Sequence, residues 1–456
     1  MLTLSLKWFL KLGFRLLILS RAFRILAWIF ARSIYEVKPD GTRVKFNFHL
    51  DNRLKMLFLS PSEFRGDPAA FAWLDNVCAL ELPDVWLSRL MFMFYSPNVE
   101  RKLIKRYLQP ASDDPCSVAK AKYRNFLKKF LPVFYAMTGI QCVISHHILY
   151  IADNDWGDVS DSLGVPYFVV HREGVSGGRE SYEYVRFEKY LKEFQDFRFR
   201  GTRFFVQNNL VASLFTDGGI VAPDQSTTVG TMRMDAFLKR VRDNTNFTRK
   251  KRLVYFPFVI GGTTLEDDVY PTFNKSLEII VSVALKRPDV DVIIKPKGPE
   301  RWNRQFREDA DVAFQQAGIQ PDKIPNLTIR WDLDPQDTIL ESDVISGLNS
   351  TTLLEAGVAG KAVVIPYFGI LRNHKYDDRI YLREELHNFD VGETEEQFEE
   401  LLLAKLDNPE VPQPVLEKRK EMFARLVSST DGNATEKTAN LMQKYVNEAN
   451  IARSTR

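Results

Sequence analysis

The sequence is short of cysteine and of long uncharged apolar runs, and its first 35 residues hold no acid. Each lack excludes something. Cys78, Cys116 and Cys142 are too few and too scattered for a disulfide framework and have no metal-ligand spacing. A reducing compartment is the simpler setting. No repeat and no low-complexity segment occurs. With 45% hydrophobic and 27% charged residues, the disordered and collagen-like classes drop out. The 456 residues leave room for more than one core.

The missing acid matters because Lys7, Lys11, Arg15, Arg21, Arg24 and Arg32 lie in that stretch. Set those six aside from the 62 Lys and Arg, and 56 basic residues face 59 acidic ones, a net of −3. The body therefore lacks the basic excess of a nucleic-acid binder. Within the segment the longest internal uncharged run is Ile25–Ala31, far short of the ~18 residues a spanning helix needs. A signal peptide would keep its cations at one end. At about 100° per residue the cations gather on one half of a helix, while Trp8, Leu12, Leu16, Leu19, Phe23 and Phe30 fall mainly elsewhere. Residues 1–38 thus read as a basic amphipathic helix, or two with a break at Gly13, lying on an anionic membrane surface through residues 2–35. The competing reading packs the same helix on the protein's own body.

Beyond the Asp40-Gly41 turn, short apolar runs recur between helical stretches. Lys55–Ser60, Cys142–Ile151, Pro166–His171 and Arg203–Gln207 read as strands of a first α/β domain. The charged stretch Lys239–Lys251 reads as a linker. A second alternating block follows, with strands at Arg252–Ile260, Val290–Ile294, Leu327–Ile329, Asp343–Ile345 and Ala362–Pro366, and helices at Tyr270–Lys286 and Ser350–Val358. Helices at Glu395–Leu406, Leu416–Leu426 and Ala434–Ala449 complete the chain.

Asp343–Tyr367, DVISGLNSTTLLEAGVAGKAVVIPY, carries the most chemistry. A strand runs through Gly347 into Asn349, Ser350, Thr351 and Thr352 and then a short helix. Hydroxyls and free N–H groups at the carboxyl end of a strand suit a phosphate. Glu355 could accept ribose hydroxyls, or could complete a capping box with Thr352. Val292–Pro299, VIIKPKGP, brings Lys295 and Lys297 to another strand end, where two cations would neutralise a diphosphate without a metal.

The first of these stretches resembles the C-terminal donor-binding domain of GT-B glycosyltransferases, and within them the bacterial surface-polysaccharide group: capsule enzymes, polysialyltransferases and glycerophosphotransferases. The resemblance implies two doubly wound, Rossmann-like domains facing a cleft. An acceptor-binding domain would cover 45–245 and a nucleotide-sugar-binding domain 250–430, with a C-terminal helix at 432–450 returning toward the first. It implies that Ser350, Thr351 and Thr352 bind donor phosphate and that Glu355 lies near ribose. Asn349, Lys295, Lys297, Gly261, Gly262 and Thr263 complete the expected donor site. The polysialyltransferase-like families have His-Pro where this chain has Lys295-Pro296, which leaves donor identity open.

A transfer also needs a base for the acceptor hydroxyl. His171-Arg172-Glu173-Gly174 follows the strand PYFVV, and the related families carry an acidic-acidic-Gly motif whose second acid is the base. Glu173 is the first candidate and His171 the second, with anchoring of the loop as the alternative. His146, His147 and Arg172 are weaker acceptor-side candidates. Asp153-Asn154-Asp155 spells a D-x-D, a metal triplet elsewhere but short and common, so no metal is expected. Val229-Gly230-x-x-Arg233-x-Asp235 reads as a pre-linker element in which Arg233 pairs with Asp235 or nears the cleft. Asp431 or Asn433 reads as the cap of the last helix.

The expectation is a metal-independent glycosyltransferase at the cytoplasmic face of the inner membrane. It would need no cofactor beyond a nucleotide-sugar co-substrate, and would act on a glycan or glycolipid acceptor, not nucleic acid. A polyol-phosphate transferase and a nucleotide-sugar epimerase are the alternatives.

Overall fold

Apolar runs of four or five residues become strands buried on both faces, and they assemble into two mainly parallel sheets. The computed structural model describes the chain apart from residues 1–12, 14, 48–51, 65, 96–103, 173, 175–176, 244–249, 259–264, 299–303 and 456, and the side chains at 63, 104, 267, 304 and 305. Glu173, Gly261, Gly262 and Thr263 thus lie outside the described residues.

The first sheet holds β1 (Tyr35–Val37), β2 (Arg43–Lys45), β3 (Leu54–Phe58), β4 (Val77–Glu81), β5 (Cys142–Ser145), β6 (Tyr167–Val170), β7 (Arg203–Val206) and β8 (Ser226–Thr228). Their order is β2-β1-β4-β3-β5-β6-β7-β8. From β4 to β8 every pairing is parallel, and β1 joins β4 and β2 antiparallel. The second sheet holds β9 (Arg252–Phe256), β10 (Asp291–Ile294), β11 (Leu327–Ile329), β12 (Val344–Gly347), β13 (Ala362–Pro366) and β14 (Asp390–Gly392). All are parallel, in the order β11-β10-β9-β12-β13-β14. The expected α/β class with two doubly wound sheets is present.

The units are not contiguous in sequence. One comprises Met1–Glu173, Lys189–Ala236 and Asp431–Arg456; the other comprises Gly174–Glu188 and Phe237–Thr430. The last helix, Ala434–Ser454, belongs to the first unit and buries Ala439, Met442 and Val446 in a core with Met56, Phe58, Phe71, Ile144 and Phe168. Its start is capped by Asp235, whose two carboxylate oxygens accept the N–H groups of Ala434 at 3.1 Å and Thr435 at 2.7 Å. Asn433 makes no side-chain cap. The expected local cap and the Arg233–Asp235 pair are therefore replaced by one long-range bond set.

Against the helix Ile151–Ser162 packs the helix Pro115–Thr138, with Phe126, Phe130 and Phe134 at helical spacing on one face. The helix Ile151–Ser162 lies close to β6: a Cβ at Gly157 would stand 2.4 Å from the Tyr167 ring. Into this aromatic layer fits the helix Phe23–Ala31, which buries Leu26, Ala27, Phe30 and Ala31. The Phe30 ring centroid lies 5.4 Å from those of Trp86 and Phe130 and 6.2 Å from that of Trp156. Of the two readings of the N-terminal segment, packing on the body holds for one face of this helix. Among the described residues no helix is long and apolar enough to cross a membrane.

Candidate active site

In open α/β sheets ligands bind beyond the carboxyl ends of the strands, where the strand order reverses. Each unit has such a point. In the second it falls between β9 and β12, and the loop that leaves β12 there is Leu348–Thr351. Gly347 is required by close approach, since a Cβ would stand 2.6 Å from the Phe256 carbonyl oxygen. Asn349 follows in the left-handed region, φ 51°. Its Nδ2 donates to the Arg379 carbonyl at 2.8 Å and its Oδ1 accepts from Tyr381 N–H at 3.0 Å. The side chain expected on the donor is thus spent tying the loop to residues 379–381.

Ser350 and Thr352 share a hydroxyl bond of 2.7 Å, and Ser350 Oγ accepts the Thr352 N–H at 3.3 Å. Thr351 is exposed. The helix Thr352–Val358 starts without a side-chain cap on Thr351, while Glu355 is buried within it. The two expected lysines part company. Lys295 is buried and donates to the carbonyls of Pro296 at 2.9 Å and Trp331 at 3.5 Å. Burial lowers its pKa, with Asp334 and Asp332 opposing. Lys297, two residues on, reaches the surface.

The segment held by Asn349 walls a cavity of about 250 Å³, lined by Gly177, Ser181, Tyr381, Arg383, Glu384 and Arg425 among others. Gly177 and Gly178 pack against this wall, where a Cβ at Gly177 would stand 3.1 Å from the Tyr381 carbonyl oxygen. Tyr182 N–H donates to the Asp378 carbonyl at 2.8 Å, and the Arg379 guanidinium stacks 5.0 Å from the Tyr182 ring.

In the first unit the strand order reverses between β3 and β5. After β3 stands Ser60, also left-handed at φ 50°, whose Oγ donates to Asp153 Oδ1 at 2.5 Å. Ser145, closing β5, donates to Asp153 Oδ2 at 2.8 Å. Asp155 turns the other way and takes Arg124 at 2.9 Å, Lys120 at 3.6 Å and Tyr95 at 3.3 Å. The D-x-D triplet thereby anchors its helix on two sides. Among the described residues no group of three or more His, Cys, Asp or Glu side chains is placed to hold a metal ion.

His146, His147 and His171 come together here. His147 and His171 have ring centroids 4.8 Å apart, and His146 Nδ1 lies 4.0 Å from Asp153 Oδ2. His171 is 3% exposed with neither ring nitrogen hydrogen-bonded, packed on Phe204 and Phe215. Burial pushes the His146 pKa down to about 3, helped by His147 and Arg172. Burial, then His147, His146 and Arg172, hold His171 well below the ordinary imidazole value. Both rings are neutral at pH 7 and resist protonation.

Beside His171 a small cavity of about 10 Å³, enough for one water, is lined by Asp67, Arg172, Gln207, Thr231 and Arg233. Asp67 is 3% exposed; burial raises its pKa, while Arg233 and Arg172 oppose the rise. Asp67, Gln207 and Thr231 went unsuspected in the sequence. Asp67 starts the helix Asp67–Ala72, and only the packing buries its carboxylate.

No family model matches the chain, and no curated protein matches it. Solved structures do match over most of its length. A UDP-GlcNAc 2-epimerase from Neisseria meningitidis bound to UDP-GlcNAc has 11% identity and a TM-score of 0.44, over 86% of this chain and 99% of that one. A glycosyltransferase from Rickettsia africae has 10% identity and a TM-score of 0.44, over 87% and 99%. The wall teichoic acid polymerase TagF, as its H548A variant, has 14% identity and a TM-score of 0.46, over 97% and 98%. All three scores fall below 0.5, and the two-sheet assignment stands on the strand orders themselves.

Proposed function

We propose that the chain binds a nucleotide sugar at the carboxyl edge of its second sheet and transfers the sugar to a hydroxyl of a glycan or glycolipid acceptor. One observation carries this reading. The second sheet has the dinucleotide-fold strand order, and the hydroxyl-bearing loop Asn349–Thr352 leaves β12 where that order reverses. Backbone N–H groups and the hydroxyls of Ser350, Thr351 and Thr352 then meet the diphosphate, Lys297 adds a cation, and Glu355 faces the ribose. Lys295 shapes the turn that presents Lys297.

In the transfer, Glu173 takes the proton of the acceptor hydroxyl. The acceptor oxygen bonds the anomeric carbon as the carbon–oxygen bond to the nucleoside diphosphate breaks. The charge developing on that leaving group is what the hydroxyl loop and Lys297 stabilise. Polyol-phosphate transfer would use the same phosphate site with phosphorus as the electrophile, and epimerisation would use it without an acceptor.

Thermal-shift measurements with UDP, GDP, CMP and CDP test the site. One nucleotide raises the melting temperature, and the Ser350→Ala/Thr351→Ala double variant loses most of that rise. If none of the four stabilises the chain, the proposal fails. Glu173→Gln abolishes turnover and keeps the nucleotide-induced shift; unchanged activity, or loss of the shift, overturns the base assignment. A nucleotide sugar converted to its epimer without acceptor replaces transfer by epimerisation.

A further inference from the structure

The helix Phe23–Ala31 has two faces with different owners. Leu26, Ala27, Phe30 and Ala31 face inward, packed on the ring layer of Pro115–Thr138. At 100° per residue the opposite face is Arg24, Ile25, Trp28 and the following Arg32. All four are exposed, Ile25 and Trp28 at 53% each. Two large apolar side chains thus stand in solvent between two arginines, and the Arg32 guanidinium lies 5.2 Å from the Trp28 ring centroid. Leu16 and Leu19, just before this helix, are 57% and 78% exposed, and Arg15 and Arg21 beside them are exposed as well.

We propose that this outward face docks the first unit on an anionic lipid bilayer surface. Three features select that occupant. Trp and Arg are the side chains that place an apolar body at the headgroup level while keeping a polar or charged part in water. The charge is of one sign, since residues 1–35 contain six cations and no acid. Lys122 and Lys129, exposed one turn before and after Phe126 on the helix that receives Phe23, extend the basic surface. A second copy of the chain is disfavoured by the same charges, because a two-fold contact would set arginine against arginine with no carboxylate between them. The inward face makes the helix part of the folded unit, so the bilayer contact orients the whole unit. This docking stands independently of the reaction.

Sedimentation of the full chain with phosphatidylcholine vesicles, with and without phosphatidylglycerol, tests it. The chain pellets with the anionic vesicles and is released by salt. Arg24→Gln and Arg32→Gln each weaken binding about fivefold, as ~1 kcal/mol per cation near the surface requires. Ile25→Glu/Trp28→Glu weakens it more than tenfold while the melting temperature holds, because both side chains are exposed. Equal binding to neutral and anionic vesicles, or undiminished binding by the double variant, overturns the proposal. A concentration-dependent dimer that the double variant abolishes gives the face to a second copy and overturns it as well.

Discussion

The Asp235 carboxylate accepts the backbone N–H of Thr435 across 200 residues of sequence, at 2.7 Å, and that of Ala434 beside it. A helix start leaves four N–H groups without intrahelical partners, and at this buried start two of them are met by one side chain from elsewhere. The bond set holds the end of the chain to the first unit's core.

Asp235→Ala therefore costs about 2 kcal/mol, the upper range for a lost helix cap, because the N–H groups it leaves are buried. Hydrogen exchange reads the effect locally. Amide protection falls at Ala434 and Thr435 and through the first turn of Ala434–Ser454, and the melting temperature drops. Unchanged protection there would mean that water replaces the carboxylate at no cost.

The elements most legible in the sequence were those whose identity is local. Ala362–Pro366 is an unbroken apolar run, Leu327–Ile329 alternates apolar and polar as Leu-Thr-Ile, and Tyr270–Lys286 has a long apolar stripe at helical spacing; all three keep their expected bounds. β8 was not legible, since Ser-Thr-Thr has no apolar face and is a strand only because β7 offers it partners. β4 was hidden among turn signals, and its Glu81 is buried through a bond to Arg43 from β2. The site divides in the same way. The hydroxyl loop after β12 could be read from its own residues. The work of Asn349, Lys295, Asp67 and Asp235 depends on Arg379, Trp331, Arg233 and Thr435, 30 to 200 positions away, which no local pattern encodes.

Asn349 gives a second prediction. Its side chain holds the wall at 379–381 to the hydroxyl loop, so Asn349→Ala removes two hydrogen bonds and leaves alanine, which tolerates the left-handed region less well than asparagine, at that φ. Nucleotide affinity then falls about tenfold, as two bonds of about 1 kcal/mol allow. Asn349→Gly separates the causes, because glycine relieves the backbone strain without restoring the side chain. The two variants lose similar affinity in a nucleotide titration if the tie matters. Recovery in the glycine variant alone would leave only the backbone conformation as the requirement.

The histidine cluster predicts how stability depends on pH. His146 and His171 are held neutral by burial, His146 with a pKa near 3, whereas an unfolded histidine titrates at about 6.5. Below about 6.5 the unfolded chain therefore binds protons that the native chain refuses. Stability is lost as pH falls, by up to about 1.4 kcal/mol per pH unit for each histidine. Asp67, Asp158 and Asp161 act in the opposite sense at lower pH, because burial raises their pKa values and the native state then holds protons that the unfolded chain has released. The loss is thus clearest just below 6.5, before those carboxyls begin to offset it. Melting temperatures at pH 7.5 and 5.5 check this in the wild type and in His171→Phe, whose ring would join Phe204 and Phe215 without a titrating nitrogen. The wild type falls further between the two pH values than the variant does, and equal falls would remove His171 as a cause.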